Sequence, residues 1–381
     1  MEVYLDNSAT TRTFPEAAGL MQRIMTEEYG NPSSLHRVGL SAEHIVKEAK
    51  EIIARTLRVE PGEILFTSGG TESNNMAIIG SALARKRAGN HIITTAIEHP
   101  SVLRVMEHLK QEGFSVTIIP PDQTGHIHAE DVLAALTPET ILVSCMLVNN
   151  EVGTVQPVRE IAGGVHRFNP EIRVHTDAVQ AYGKIPVLPR ELGVDLMSVS
   201  AHKLHGPKGV GFLYIKKGTL IRPIIYGGGQ QGDLRSGTEN VPGIAGMGEA
   251  VRLTFADFAG DTEKMKRLKE QLIAGASAMP EVISLSGEAP HIVSLSFAGV
   301  RAEVLLHALE DSGIYVSSGS ACSSNKKKKG SAVLSAMQLP GELLDTVLRF
   351  SLSADNTEEE IRYTVETLEK LVPMLRRYRR G

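Results

Sequence analysis

Cysteine is scarce in this chain: Cys145 and Cys322 are the only two among 381 residues. That excludes a disulfide framework and makes a reducing, cytoplasmic setting the expectation. An excess of charge of one sign is also missing. Lys and Arg number 40 against 44 Asp and Glu, a net charge of −4 at pH 7, so no bulk attraction to nucleic acid or membrane is expected. No apolar run approaches the roughly 20 residues that a membrane span requires. The opening stretch MEVYLDNSATT lacks the basic and apolar regions of a signal peptide. No internal repeat is visible, and no Pro- or Gly-rich linker divides the chain. What remains is a globular protein long enough for one large domain and a smaller one.

Apolar runs rich in Val and Ile alternate with helical patterns through the first two thirds. Seven segments, EILFTSGG, HIITTAIEH, SVTIIPP, ILVSCMLVNN, IRVHTDAVQ, DLMSVSAHK and GVGFLYIKK, read as strands with the turns that follow them. Amphipathic segments such as TESNNMAIIGSALARKRA and SVLRVMEHLKQEG lie between the early ones. Strands alternating with helices predict an α/β fold with a mostly parallel sheet. After YGGGQQGDLRSGTEN the texture changes. One long charged helix is predicted from Val241 to about Met279, followed by shorter strands and helices. The last helix begins with a capping box, Thr357 and Glu360. The chain is read as a large domain over residues 15–255 and a smaller α+β domain over 1–14 and 256–381, with the N-terminus packed against the latter.

Ligands of open parallel sheets bind beyond the carboxyl ends of the strands. After EILFT come Ser68, Gly69, Gly70, Thr71 and Glu72 at a predicted helix start, a candidate phosphate site. Glu98 and His99, then Asn149 to Glu151, then Asp177 and Gln180, then Ser200 to Lys203 follow other strands. Each alone is more often a structural polar group. Together they form a constellation. A lysine that captures an aldehyde, a phosphate site and a carboxylate for a ring nitrogen describe binding of pyridoxal 5′-phosphate (PLP). Lys203 is the lysine and Asp177 the carboxylate. His99 has the flat ring needed to stack on the cofactor, and Gln180 can hydrogen-bond its phenolic oxygen.

The chain resembles the cysteine desulfurases, PLP enzymes of the aminotransferase-like fold (fold type I). The resemblance covers essentially the whole length. It rests on ten ordered motifs: YLDNSATT, YGNPSSLH, FTSGGTESNN, EHPSV, NNEVGTVQP, HTDAVQAYGK, SAHKLHGPKGVG, RSGTENV, SSGSACSS and LRFSLS. It implies that Lys203 carries the cofactor through a Schiff base and acts in catalysis with His99 and Cys322. It implies that Gly70, Thr71, Ser200 and His202 hold the phosphate. Thr238 is implied to complete the phosphate site of a second subunit in a homodimer. Asn150, Asp177 and Gln180 are implied to contact the ring, with His99 stacked on it. Arg349 is implied to clamp the substrate carboxylate, with Asn150 beside it. No metal is implied.

Cys322 is surrounded by small residues and followed by Lys326 to Lys329, which is no setting for a packing cysteine. The resemblance makes it the nucleophile that takes sulfur from L-cysteine, releases L-alanine and holds the sulfur as a persulfide for an acceptor protein. Iron–sulfur cluster assembly and tRNA thiolation are the implied destinations. A thiol on a Ser/Gly-rich loop can pass between cofactor and surface, and nearby lysines favour its thiolate. The spacing from Cys322 to Arg349 resembles the group with a long catalytic loop. Cys145, inside ILVSCMLV, reads as a packed core thiol. Lys326–Lys329 and the terminal RRYRR read first as solvated charge, and second as a dock for an acidic partner. Two other functions compete: a PLP-dependent lyase or aminotransferase indifferent to Cys322, and a non-catalytic sulfur-transfer scaffold.

Overall fold

Strands built from consecutive apolar residues are stable only where both sheet faces are covered. The computed structural model describes residues 1–318 and 331–378 and meets that demand. β1 (Val3–Tyr4) opens the chain. β2 (Ile64–Thr67), β3 (His91–Thr95), β4 (Ser115–Ile119), β5 (Thr140–Ser144), β6 (Arg173–Asp177), β7 (Leu196–Ser200) and β8 (Gly211–Ile215) follow. They form a seven-stranded sheet in the order β2-β8-β7-β6-β5-β3-β4, in which β8 alone runs against its neighbours. Successive side chains enter different cores. Phe66, Ile93, Val143, Met197 and Phe212 join the largest one, while Leu65, Ile92, Leu142, Leu196 and Leu213 belong to clusters on the opposite face. The mostly parallel α/β sheet expected from the sequence is therefore present. The carboxyl ends of β2, β3, β5, β6 and β7 gather along one edge, because those strands share a direction. Cys145 is buried just past β5 and burial raises its thiol pKa well above the ordinary value, so it is the core thiol that its neighbours suggested.

The C-terminal part builds a second sheet. β9 (Val282–Ser284), β10 (Ile292–Phe297), β12 (Ser317–Ser318) and β13 (Val347–Ser351) pair antiparallel in the order β12-β13-β10-β9. The short β11 (Ile314–Tyr315) pairs in parallel with β1, and Asp6 bridges Ser351. Val3 and Leu5 consequently enter the core made by Leu295, Leu305, Leu348 and Phe350. The N-terminus thus packs against the C-terminal elements. It also carries Asn7, Ser8 and Ala9 across to the main sheet edge. The capping box of the helix Glu358–Tyr378 is present: Thr357 N donates to Glu360 Oε2 at 2.9 Å, and Glu360 N to Thr357 Oγ1 at 3.2 Å.

One prediction fails here. The single helix over Val241–Met279 is two helices, Val241–Thr254 and Phe258–Ser277. Asp257 restarts the second by accepting a hydrogen bond from Gly260 N at 3.3 Å. Phe255 and Phe258 stack across the break at 5.1 Å between ring centroids, which fixes the corner. Among the described residues no helix is long and apolar enough to cross a membrane.

Candidate active site

β2 feeds the helix Gly70–Arg85 through Gly69, whose φ of +145° is rarely open to a residue with a side chain. A Cβ at position 70 would lie 2.7 Å from Val179 Cγ2, so the turn after β6 packs directly on the helix start. No side chain caps that helix, leaving its first N–H groups and dipole to act on an anion. The one acid in the first turn is turned aside. Glu72 accepts from Ser68 N at 2.7 Å and from Arg235 Nε at 2.8 Å. Burial pulls its carboxyl pKa up, but those hydrogen bonds outweigh burial and hold it below the usual range. The Arg235 contact also fastens the RSGTEN segment beside the helix start, with Thr238 exposed.

Asp177 ends β6 buried, and both its oxygens are engaged. Oδ1 accepts from Val179 N at 2.9 Å and Oδ2 from Asn74 Nδ2 at 2.7 Å. Asn74 spends its other N–H on Ser101 Oγ at 2.9 Å, and Ser101 Oγ lies 2.8 Å from His99 Nδ1. Ser101 N also donates to His99 Nδ1 at 3.1 Å. Nδ1 is thus an acceptor, and the imidazole proton belongs on Nε2. Burial lowers the His99 pKa; Lys203 lowers it further, while Asp177 opposes. His99 is a neutral ring at pH 7, flanked by an anion and a cation. His99 also caps the helix Pro100–Gln111, with Pro100 at its first position.

Lys203 follows β7 on a short 3-10 turn, and its Nζ donates to the carbonyls of Ser8 at 2.6 Å and Ala9 at 2.7 Å. Gln180 Nε2 reaches the same Ser8 carbonyl at 3.0 Å. The adjacent His202 has its pKa driven down to about 4 by burial and by Lys203 and Lys208, so it too is neutral. Its Nδ1 lies 3.3 Å from Thr10 Oγ1. Ser200 is buried at the end of β7, beside the Gly69–Gly70 turn. From the second sheet comes Arg349, nearly buried on β13. Its Nη1 donates to Asn150 O at 2.7 Å and its Nη2 to Asp6 Oδ1 at 2.9 Å. Its Nε has no partner among the described residues.

The fold thus gathers Gly70, Thr71, His99, Asn150, Asp177, Gln180, Ser200, His202, Lys203 and Arg349 at one edge. Cys322 and Lys326–Lys329 lie outside the described residues. Asn150 meets Arg349 through its backbone carbonyl. The clamp expected of Arg349 already holds a carboxylate, that of Asp6, at one prong. Two neighbours of expected site residues are structural. Asn149 closes its own turn by accepting from Glu151 N and Val152 N, and Glu98 ties the loop after β3 to Met146 N. His36, in YGNPSSLH, caps the helix Arg37–Leu57. Asp6, Ser8, Asn74 and Ser101 were not singled out from the sequence. Each stood inside a quoted motif, but only the pairing of distant segments gives it a partner.

A phosphorylated pyridine aldehyde fits these residues. There is a glycine cradle at an uncapped helix start and a buried carboxylate for a ring nitrogen. A neutral flat ring and a lysine complete the set. Ser8 Oγ, Asn74 Oδ1 and Arg349 Nε are buried without partners among the described residues, which leaves polar capacity for a ligand. Comparison with known proteins agrees. Residues 3–363 match the family Aminotransferase class-V. A protein of Dictyoglomus turgidum named cysteine desulfurase IscS is 44% identical over 98% of this chain and 95% of its own length. The mitochondrial cysteine desulfurase of Saccharomyces cerevisiae is 42% identical over 98% of this chain and 76% of its own. A solved NifS-like protein superposes with a TM-score of 0.93 at 40% identity, covering 98% of this chain and 100% of its own. A structure titled SspA in complex with cysteine gives 0.83 at 33% identity, over 93% of this chain and 100% of its own. The chain belongs to the class-V aminotransferase family.

Proposed function

We propose that this chain is a PLP-dependent cysteine desulfurase that converts L-cysteine to L-alanine and keeps the sulfur as a persulfide on Cys322. One observation carries the reading: the Asp177 carboxylate is buried, pinned by two donors, and joined through Asn74 and Ser101 to the His99 ring. The relatives' names and the solved complex with cysteine support the substrate.

Bound PLP supplies an electron sink for bonds at the substrate's α-carbon. The Gly69–Gly70 turn, Thr71, Ser200 and His202 would hold its phosphate. Asp177 would keep its ring nitrogen protonated, His99 would stack on the ring, and Gln180 and Asn150 would touch it. Lys203 would attach it and move the substrate's α-proton. Arg349 receives the substrate carboxylate through Nε and Nη2, in competition with Asp6. The Cys322 thiolate then attacks the substrate sulfur. An S–S bond forms and the substrate's C–S bond breaks. The carbon side keeps the electron pair, takes a proton and leaves as alanine. Residues 15–255 form the cofactor-binding unit, and 1–14 with 256–381 bring Arg349 and Cys322 to it. The protein works as a cytoplasmic homodimer in which Thr238 completes the partner's phosphate site, and the persulfide passes to an acceptor protein.

The test pairs two variants with cysteine as substrate. Lys203→Ala is expected to release no alanine. Cys322→Ser is expected to keep the cofactor and change its absorbance on adding cysteine, yet release alanine at under a hundredth of the wild-type rate. Wild-type alanine release by either variant would overturn the reading.

A further inference from the structure

His291 is buried, 1% exposed, one residue before β10. Leu352 N donates to its carbonyl at 2.8 Å, so the four-stranded sheet fixes its backbone. Its Nε2 lies 3.3 Å from Gln180 Oε1. Gln180 stands on the turn after β6, and its Nε2 already donates to the Ser8 carbonyl that Lys203 Nζ also reaches. An amide oxygen has no proton to give, so the histidine must donate, and its proton lies on Nε2. Nδ1 is then a bare lone pair, buried without a partner among the described residues. Burial, with the cations Lys184, Lys269, Arg349 and Lys203 around it, keeps this imidazole well below its ordinary pKa and neutral.

A glutamine amide can be turned end for end at little change in shape, exchanging donor and acceptor. Only one orientation suits both Ser8 C=O and His291 Nε2–H. In that orientation the NH2 group faces the Lys203 side, with a second hydrogen still to donate. We propose that His291 is a positioning residue that locks the Gln180 amide with N–H, not C=O, toward Lys203, so that Gln180 donates to the ring oxygen of the cofactor. The proposal rests on the reading that Gln180 contacts that ring. A donor at the ring oxygen draws off its negative charge. The oxygen then holds the proton of the neighbouring Lys203-linked nitrogen less tightly, and the pH midpoint of the cofactor's visible absorbance falls. Losing the donor raises it.

The experiment is an absorbance titration of holoprotein without substrate, in wild type, His291→Leu, His291→Gln, Gln180→Leu and the double variant His291→Leu with Gln180→Leu. Glutamine at 291 reaches as far as Nε2 and keeps a donor there. His291→Leu is expected to raise the midpoint by about half a unit to one unit, the scale of one hydrogen bond. His291→Gln should stay at the wild-type midpoint, and the double variant should shift no further than Gln180→Leu. A wild-type midpoint in His291→Leu beside a displaced one in Gln180→Leu would overturn the role of His291. A wild-type midpoint in Gln180→Leu would instead overturn the ring contact, and the proposal with it. Should His291→Leu fail to fold, 15N NMR of labelled histidine in the unaltered holoprotein decides. A proton on Nε2 of His291 is expected, and one on Nδ1 contradicts the proposal.

Discussion

Asp177 shows how much one side chain depends on partners that lie far away in the chain. Its carboxylate accepts from both Asn74 and Val179. Asparagine has one acceptor, so Asp177→Asn must turn an N–H toward a donor. The variant is expected to lose activity at least a hundredfold, because the ring nitrogen's proton is no longer held. It is also expected to lose about 1–3 kcal/mol of stability, measured by chemical denaturation, from the unmatched donor. Full activity would mean that another residue serves the ring nitrogen. Arg349 gives a second residue-scale outcome. Lysine keeps the charge but not the fork that meets both Asp6 and Asn150 O. Arg349→Lys should raise the KM for cysteine roughly tenfold or more. An unchanged KM in steady-state kinetics would place the substrate carboxylate elsewhere. The candidate site residues of the main sheet could be singled out because their types and positions at strand ends are unusual together. Asn74, Ser101, Asp6 and His291 were not. A polar residue has no evident role until folding supplies the partner, as Asp6 shows for Arg349 across 343 residues.

At the scale of elements, Glu98 joins the loop after β3 to the residues beyond β5. Its Oε1 accepts from Thr95 Oγ1 and Met146 N, each at 2.7 Å, which places His99. Burial raises its pKa from 4.5 to about 8, and the nearby Asp177 charge adds to this. The folded pKa lies above the unfolded one. The folded state therefore binds more protons between those two values, and stability is lost as pH rises from about 4.5 to about 8. Glu98→Gln keeps the acceptor and removes the titration. It should match wild type within about 1 kcal/mol at pH 4 and exceed it by on the order of 4 kcal/mol at pH 9. Denaturant midpoints at the two pH values check this; equal differences at both would contradict it. The seven strands of the main sheet were legible because unbroken β-branched runs have few alternatives. The break at Asp257 was missed because the apolar pattern continues on either side of it. Only the Asp257 cap and the stacked Phe255 and Phe258 end the first helix.

For the whole molecule, the long reach of the N-terminus is the feature that unites the two sheets. Residues Asn7 to Ala9 run from the Ser351 edge to Lys203 and Gln180, so the site draws on both. The proposed sharing of a site between two subunits has its own outcome. Lys203→Ala and Thr238→Ala, mixed under subunit exchange, should form heterodimers with one site free of both lesions and recover up to about a quarter of wild-type activity by random pairing. No recovery would place Thr238 in its own subunit's site. Where the sulfur goes was not legible, since an acceptor is recognised by surface rather than by the catalytic set. Transfer of sulfur from cysteine to Cys322 is read out by mass spectrometry of the peptide around Cys322. Holoprotein given cysteine without any acceptor should show one added sulfur atom on Cys322 for each alanine released in the first turnover, and none in Lys203→Ala. Alanine released with Cys322 unmodified, or sulfur found on another residue, would rule out Cys322 as the sulfur acceptor.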